Sequence, residues 1–160
     1  MRYADHLRSL VAYSAWANDR IVSAAKVLTD ADLASDLGGY DTILGTLNHY
    51  LWAQQMWLGR LQGRPNIERL ALKPSELWDE FVRGDTALTD FAAYLGDHDF
   101  ERMIDYHDTK GVPHRRTIGQ LMTHVVNHGT YHRGEAGLML TRLRRSPGDL
   151  DYVYFIPEGV

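Results

Sequence analysis

Four long segments of the chain repeat apolar residues at intervals of three and four, the period of an α-helix with one buried face. The clearest is a seam in the third segment, in which apolar residues and one glycine alternate at steps of four and three from Leu77 to Leu95. The predicted helices cover Tyr3–Leu28, Asp41–Gln62, Pro74–Leu95 and Thr117–Arg144. We therefore expect an all-α fold.

The connections between these helices differ in length. Thr29–Tyr40 holds a Gly38-Gly39 pair and is predicted as a loop. Gly63–Lys73 is an aperiodic linker whose eleven residues could reach about 36 Å when extended, the length of the neighbouring helices. This reach predicts that the second and third helices run parallel and are joined by a crossover.

Two further segments lack the helical period. Between Asp97 and Arg116 the sequence predicts an irregular stretch with a short hairpin around Asp108–Gly111. The apolar tail Asp151–Ile156 is expected to pack back on the helices. Thr117 and Gln120 fit a capping box at the start of the fourth helix, and Pro74 suits the first turn of the third.

Polar residues interrupt two of the apolar faces. Ser14 and Asn18 fall within the stripe of the first helix, where they face a polar cavity or bond to the backbone. In the second helix, a polar stripe at heptad spacing interrupts a surface that is otherwise mostly apolar, and a helix so widely apolar is usually packed on more than one side. The members of the stripe are Asn48, Gln55 and Gln62.

The fourth helix carries histidines at positions i, i+4 and i+8, which are His124, His128 and His132. At about 100° per residue, the last two lie near the middle of the apolar stripe and His124 roughly 70° from it. Neighbours about 6 Å apart along the axis can share one ion, whereas His124 and His132, about 12 Å apart, cannot. The pair alone fits a metal site and a hydrogen-bonded core about equally well.

A metal at this pair needs a third ligand from another helix. His49 stands inside the second helix, off its polar stripe, and is our candidate. The histidines of the irregular stretch are expected to lie at the surface, and they are His98, His107 and His114.

Composition narrows the class of protein. The 160 residues, 44% hydrophobic and 24% charged, indicate one globular domain spanning residues 1–160. A net charge of −4 argues against nucleic-acid binding. With no cysteine there is neither a disulfide nor a thiolate metal site, and no apolar run is long enough to predict a membrane span. We expect a cytoplasmic protein.

The chain resembles the DinB/YfiT-like metalloenzyme family along nearly its whole length. The resemblance is carried by YSAWANDRI in the first helix, TLNHYLWAQQMWLGRL in the second, HVVNHGTYHRGE in the fourth and the DYVYF tail. It implies a four-helix bundle with an up-down-down-up course and a divalent metal on three histidines. The motifs place these ligands at His49, His128 and His132.

Two positions depart from the family pattern. Gln54 stands where the family commonly has aspartate, and Glu135 where HRG is usually followed by glutamine. A carboxylate at Glu135 can hydrogen-bond a ligand imidazole, whereas Gln54 removes a possible acid/base group. Both changes are expected to affect chemistry more than fold.

The resemblance implies a metal-dependent enzyme, and we expect a thiol S-transferase acting on a small electrophile. Three histidines leave a coordination position open for a thiol, with zinc, nickel or iron as the ion. The alternatives are a metal-dependent hydrolase, a non-catalytic metal-binding stress-response protein, and histidines that only fill the core. Tyr131 is either a proton donor or a packing residue; no other catalytic residue is assigned. A small-molecule substrate and a homodimer are expected.

Overall fold

The computed structural model describes residues 2–39, 41–69 and 71–156. Tyr40 of the predicted loop, Leu70 of the predicted linker and the two ends of the predicted domain lie outside these residues. The described chain is mostly helical, with one two-stranded antiparallel sheet. The helices are α1 (Tyr3–Ala25), α2 (Asp30–Leu33), α3 (Ile43–Leu61), α4 (Pro74–Tyr94) and α5 (Ile118–Arg142), and the strands are β1 (Met103–His107) and β2 (Pro113–Thr117).

The first helix is shorter than its apolar pattern predicts. It ends at Ala25 instead of Leu28, and the predicted loop that follows contains the single turn α2. Thr29 starts α2: its side chain accepts a hydrogen bond from the Asp32 amide, and its own amide donates to the Asp32 carboxylate. This capping box requires extended backbone at Thr29, so α1 cannot continue through it.

The other three long helices begin and end within two residues of their predicted bounds. Thr42 caps α3 by accepting from the Gly45 amide, and Pro74 opens α4. The capping box predicted at the start of α5 is confirmed, since Thr117 and Gln120 exchange both hydrogen bonds. Gly63, with φ of 71°, follows α3 in the left-handed conformation that lets the amide of the next residue bond back to Gly59.

The stretch between α4 and α5 contains the predicted hairpin. β1 pairs with β2 in antiparallel register from Met103↔Thr117 to His107↔Pro113. The Asp108 carboxylate closes the turn by accepting from the amides of Lys110 and Val112. The hairpin lies against α3 through the Trp57 and Tyr106 rings, which meet edge-on at 5.3 Å.

The C-terminal tail packs on α1, as predicted. The Tyr13 hydroxyl donates to the Leu150 carbonyl at 2.7 Å, and Tyr152 shares a hydrogen bond with Ser9. Phe155 lies near the ring of Tyr13, with centroids 6.1 Å apart. The tail thereby covers part of the outer surface of α1.

Where α3 packs against α4, contacting residues occur in the same order along both helices. Gly84 of α4 approaches Leu51 and Gln54 of α3 so closely that a Cβ there would lie 3.2 Å from Leu51 Cδ1. Along the same two helices Tyr50 contacts Phe81 and Gln54 contacts Asp85, so residue numbers rise together. Gly84 therefore lies where α3 and α4 approach each other closely.

The polar stripe of α3 includes a buried residue. Asn48 is buried, with only 7% of its surface exposed. Its side chain accepts from the Leu72 amide and donates to the Leu72 carbonyl. Periodicity cannot reveal this, because the partner belongs to the aperiodic linker that covers α3. Within the described residues, no helix has the length and apolar character that crossing a bilayer requires.

Candidate metal centre

The three histidines predicted as ligands lie together between α3 and α5. One nitrogen from each of His49, His128 and His132 falls within 4.8 Å of the other two. His128 and His132 are one turn apart on α5, and their Nε2 atoms are separated by 3.2 Å. His49 faces them from α3, with its ring centroid 4.8 Å from that of His132. Such a group could hold a metal ion.

His124 does not join this cluster. It is exposed and lies edge-on against Trp57, with ring centroids 4.8 Å apart. Its position one turn before His128 leaves it 5.7 Å from that ring, on the outer side of α5. Among the described residues, the histidines of the irregular stretch are also absent from the cluster.

Glu135 orients one of the three imidazoles. Its Oε2 atom accepts a hydrogen bond from His132 Nδ1 at 3.1 Å. This bond fixes the tautomer whose Nε2 lacks a proton and points it into the cluster. The carboxylate therefore lies where the sequence predicted it, beside an imidazole of the cluster.

The surroundings favour the neutral form of His49 and His128. Burial lowers the pKa of His49, and the neighbouring His132 and Arg69 lower it further. Burial is also the main reason that the pKa of His128 falls to about 4, with smaller effects from the imidazoles around it. Neutral imidazole is the form that donates a lone pair to a metal, so protons compete weakly for these groups near neutral pH.

A cavity of about 280 Å³ opens beside the histidines. Thr46 lies one turn before His49 in its wall, and the buried Thr46 Oγ1 has no hydrogen-bond partner among the described residues. A buried hydroxyl without a partner among the described residues therefore lies close to the cluster. Its lining consists of Asp41, Thr46, His49, Arg69, Tyr131, His132 and Glu135.

The structure excludes one of the two roles considered for Tyr131. The side chain is 67% exposed, so it is not a packing residue of the core. It lies at the edge of the cavity with its ring 5.0 Å from that of His132. Tyr131 is therefore placed to contact a molecule that enters.

Ser14 and Asn18 bond neither to the backbone nor to the histidine cavity. Both are buried and hydrogen-bond to Arg133 Nη1, at 2.7 Å for Ser14 Oγ and 3.0 Å for Asn18 Oδ1. The same nitrogen donates to the Tyr50 hydroxyl at 3.1 Å. These residues form a polar layer between two apolar parts of the core.

Asp85 connects this layer to α4. Its Oδ1 accepts from Asn18 Nδ2 and from Gln54 Nε2, both at 2.8 Å. Burial raises the pKa of Asp85 to about 6, although the two amide donors and the Arg133 charge oppose the rise. Asn18 therefore bridges a buried cation and a buried carboxyl group.

The sequence analysis missed the importance of Arg133, Tyr50 and Asp85. Arg133 and Tyr50 directly follow His132 and His49, so the polar layer fixes the backbone beside two of the three imidazoles. A signal did exist: Asp85 lies four residues after Phe81 and three before Leu88, on the side of the helix that carries the seam.

Together these features define a mostly helical protein with a three-histidine cluster that could hold a metal ion. The model of the DinB family matches residues 3–158. The chain belongs to the DinB family, as the sequence motifs predicted.

Two relatives illustrate the family. Protein DinB of Bacillus subtilis (strain 168) is 24% identical over 165 residues, which cover 96% of this chain and 95% of the relative. A crystal structure of a DinB-like protein from Bacillus cereus ATCC 10987 superposes with a TM-score of 0.63 at 18% identity. The superposition covers 83% of this chain and 87% of that one, and it supports the helical fold.

Proposed function

We propose that this protein is a metal-dependent enzyme that transfers a low-molecular-weight thiol to a small electrophile. Its divalent ion would be held by His49, His128 and His132. The observation that carries the proposal is the convergence of these imidazoles within 4.8 Å of one another beside a cavity of about 280 Å³. If these histidines only filled the core, no cavity beside them would be expected.

The donor set fits a divalent ion. Two nitrogens on one tetrahedral zinc lie roughly 3.3 Å apart, because each Zn–N bond is about 2.0–2.1 Å. His128 and His132 come within 3.2 Å, close to that value. Three nitrogen ligands leave a position for substrate, and imidazole suits zinc, nickel and iron.

The cavity residues supply binding and orientation. A divalent ion, when bound, favours ionisation of a thiol that reaches it. Arg69 brings a positive charge for an anionic part of either substrate, and Thr46 Oγ1 can hydrogen-bond to an electrophile. In the transfer, the sulfur forms a bond to carbon, the thiol proton leaves to solvent, and the leaving group departs with its electron pair.

Metal-dependent hydrolysis is the second candidate, and one observation favours it. Glu135 lies in the cavity wall, so a carboxylate is available to accept a proton from water. Against this, Glu135 already accepts a hydrogen bond from His132, and using it as a base would disturb a ligand. We therefore place thiol transfer first.

Elemental analysis of purified variants tests the metal assignment. Alanine at any one of the three cluster histidines should abolish stoichiometric metal, because two imidazoles hold an ion far more weakly than three. His124→Ala is the matched control: it removes an exposed imidazole from the same helix and should leave the metal content unchanged. Metal at the wild-type level in His49→Ala would contradict the assignment of the third ligand.

Cobalt-substituted protein distinguishes transfer from hydrolysis. Titration with a panel of cellular thiols should produce thiolate-to-cobalt charge-transfer absorption, and the His49→Ala protein treated in the same way should give none. If no thiol produces this band while the cobalt remains bound, the transferase proposal fails and hydrolysis or metal binding alone takes its place.

We also infer that the long helices follow an up-down-down-up course. In support, residue numbers rise together where α3 meets α4 and where α1 meets α5, as in the contacts from Gly119 to Tyr3 and from Gly137 to Ile21. They run oppositely between α1 and α4, where Arg8 bonds to the Ala92 carbonyl and Asn18 to Asp85.

We further propose a cytoplasmic homodimer that acts on small molecules and binds neither nucleic acid nor membrane. The net charge of −4 and the absence of cysteine support this setting. Two exposed apolar side chains two turns apart on α5, Tyr131 and Leu138, give the dimer a possible contact surface. Light scattering of the purified protein should give twice the chain mass, and a single chain mass at micromolar concentration would contradict the dimer.

A further inference from the structure

Arg60, in the last turn of α3, is a buried cation without a matching carboxylate. The residue is 5% exposed, and its Nη2 atom has no hydrogen-bond partner among the described residues. Its Nε donates to Asn66 Oδ1 at 2.9 Å, which is a neutral acceptor. A buried charge that lacks a counter-charge is costly, so the surroundings of Arg60 need an explanation.

Part of that cost is offset by aromatic rings. The guanidinium carbon lies 4.4 Å from the Trp57 ring centroid and 5.3 Å from that of Tyr106. Such stacking stabilises a cation and holds the hairpin against α3. It supplies no hydrogen-bond acceptor for Nη2, which stays without a partner among the described residues.

The nearby acids are already engaged. Asp108 accepts from His114 and from two backbone amides, and the His114 bond is the main reason that its pKa falls to about 2. Asp105 pairs with Arg115 at 3.5 Å. Although Asp108 partly counters the effect, burial still lowers the pKa of Arg60.

Arg60 lines a cavity of about 500 Å³ between the end of α3, the linker and the hairpin. The lining contains a second arginine and a histidine. Its single acid is Asp105, which is paired with Arg115. The charge of the lining therefore favours an anion. The residues are Arg60, Gly63, Arg64, Pro65, Asn66, Asp105, Tyr106 and His107.

We propose that this cavity binds a small organic anion through a phosphate or carboxylate group held by Arg60 and Arg64. The planar guanidinium fork of Arg60, which lines the cavity, matches two oxygens of either group. Arg64 is exposed and lines the same cavity. The site is separate from the histidine cluster and does not depend on a metal.

Calorimetric titration of the metal-free full-length protein tests this site. Inorganic phosphate and citrate are the two probes, each at constant ionic strength and with the metal removed by dialysis against a chelator beforehand. The wild type should bind at least one of them saturably, and comparison of the two shows which anion chemistry the cavity prefers. Saturable binding of neither probe would overturn the proposal.

Three variants locate the binding. Arg60→Met keeps an unbranched side chain beside the rings but removes the charge, and should weaken binding at least about tenfold. Arg64→Gln changes an exposed residue and should weaken it by a smaller factor, so it decides the matter if Arg60→Met fails to fold. Arg145→Gln changes an exposed arginine that lines neither cavity, and it should bind as the wild type does. Unchanged affinity in Arg64→Gln or in a folded Arg60→Met, or loss of binding in Arg145→Gln, would refute the assignment.

Discussion

Replacing Asp85 by asparagine should remove a defined part of the pH dependence of stability. The pKa of this carboxyl group is about 6 in the folded protein against an ordinary 3.8, mainly because of burial. The folded state therefore binds the proton more tightly than the unfolded state does. The resulting stabilisation is fully present below about pH 4 and is lost as the pH rises through about 6.

The magnitude follows from the two pKa values. Their difference corresponds to about 3 kcal/mol in total, of which about 1.3 kcal/mol is lost between about pH 5 and pH 7. Asparagine is neutral at every pH and can accept the same hydrogen bonds from Asn18 and Gln54. The Asp85→Asn protein should therefore gain about 1.3 kcal/mol relative to the wild type across that interval.

Urea unfolding of both proteins in a chelating buffer, at several pH values from about 5 to 7, measures this difference. Subtracting the two curves cancels the titration of the histidines, which both proteins share. Asp90→Asn is the control for net charge, because it removes an exposed carboxylate from the same surface cavity. A flat difference curve, or one in which the variant loses stability as the pH rises, would show that the buried Arg133 holds Asp85 ionised and would refute the reasoning.

Three further substitutions have outcomes that the structure fixes. Glu135→Gln should lower metal affinity roughly 10- to 100-fold in a chelator competition, because the bond that orients His132 weakens; equal affinity would show that the carboxylate is dispensable. Gly84→Val should lower the free energy of unfolding by about 1–3 kcal/mol, since an added Cβ alone would lie 3.2 Å from Leu51 Cδ1. An unchanged midpoint of urea unfolding would mean that the helices can separate. Thr117→Ala should cost about 1 kcal/mol through loss of the α5 cap, whereas Thr117→Ser should retain most of the stability.

The local features of this fold could be predicted because each depends on neighbours in sequence. The cap at Thr117 and the proline start at Pro74 involve residues within one turn. The pair His128 and His132 was identified by a spacing that one helix determines. His49 needed a second helix, and its selection used its position off a polar stripe together with the family motifs.

The polar layer could not be predicted in the same way, because its members come from four helices. A helical wheel shows that Ser14 and Asn18 face inward, but it does not show what they meet. Their partner Arg133 lies 119 and 115 residues away in sequence. The burial of Asn48 could not be predicted for the same reason, since its partner is the backbone of a linker without periodicity.

Gln54 shows how such a long-range partner changes the meaning of a sequence difference. Its departure from the family's aspartate was expected to affect chemistry at the metal. In the structure Gln54 is buried and donates from Nε2 to Asp85 at 2.8 Å, and it is not among the residues that line the histidine cavity. An aspartate on this side of α3 would bring a second carboxyl group toward Asp85, and two such groups in a buried site cannot both ionise readily. The amide instead supplies a donor, which lowers the cost of burying Asp85 and ties α3 to α4. The difference at position 54 therefore belongs to the polar layer that supports the histidine-bearing helices, and its effect on the candidate metal centre is indirect.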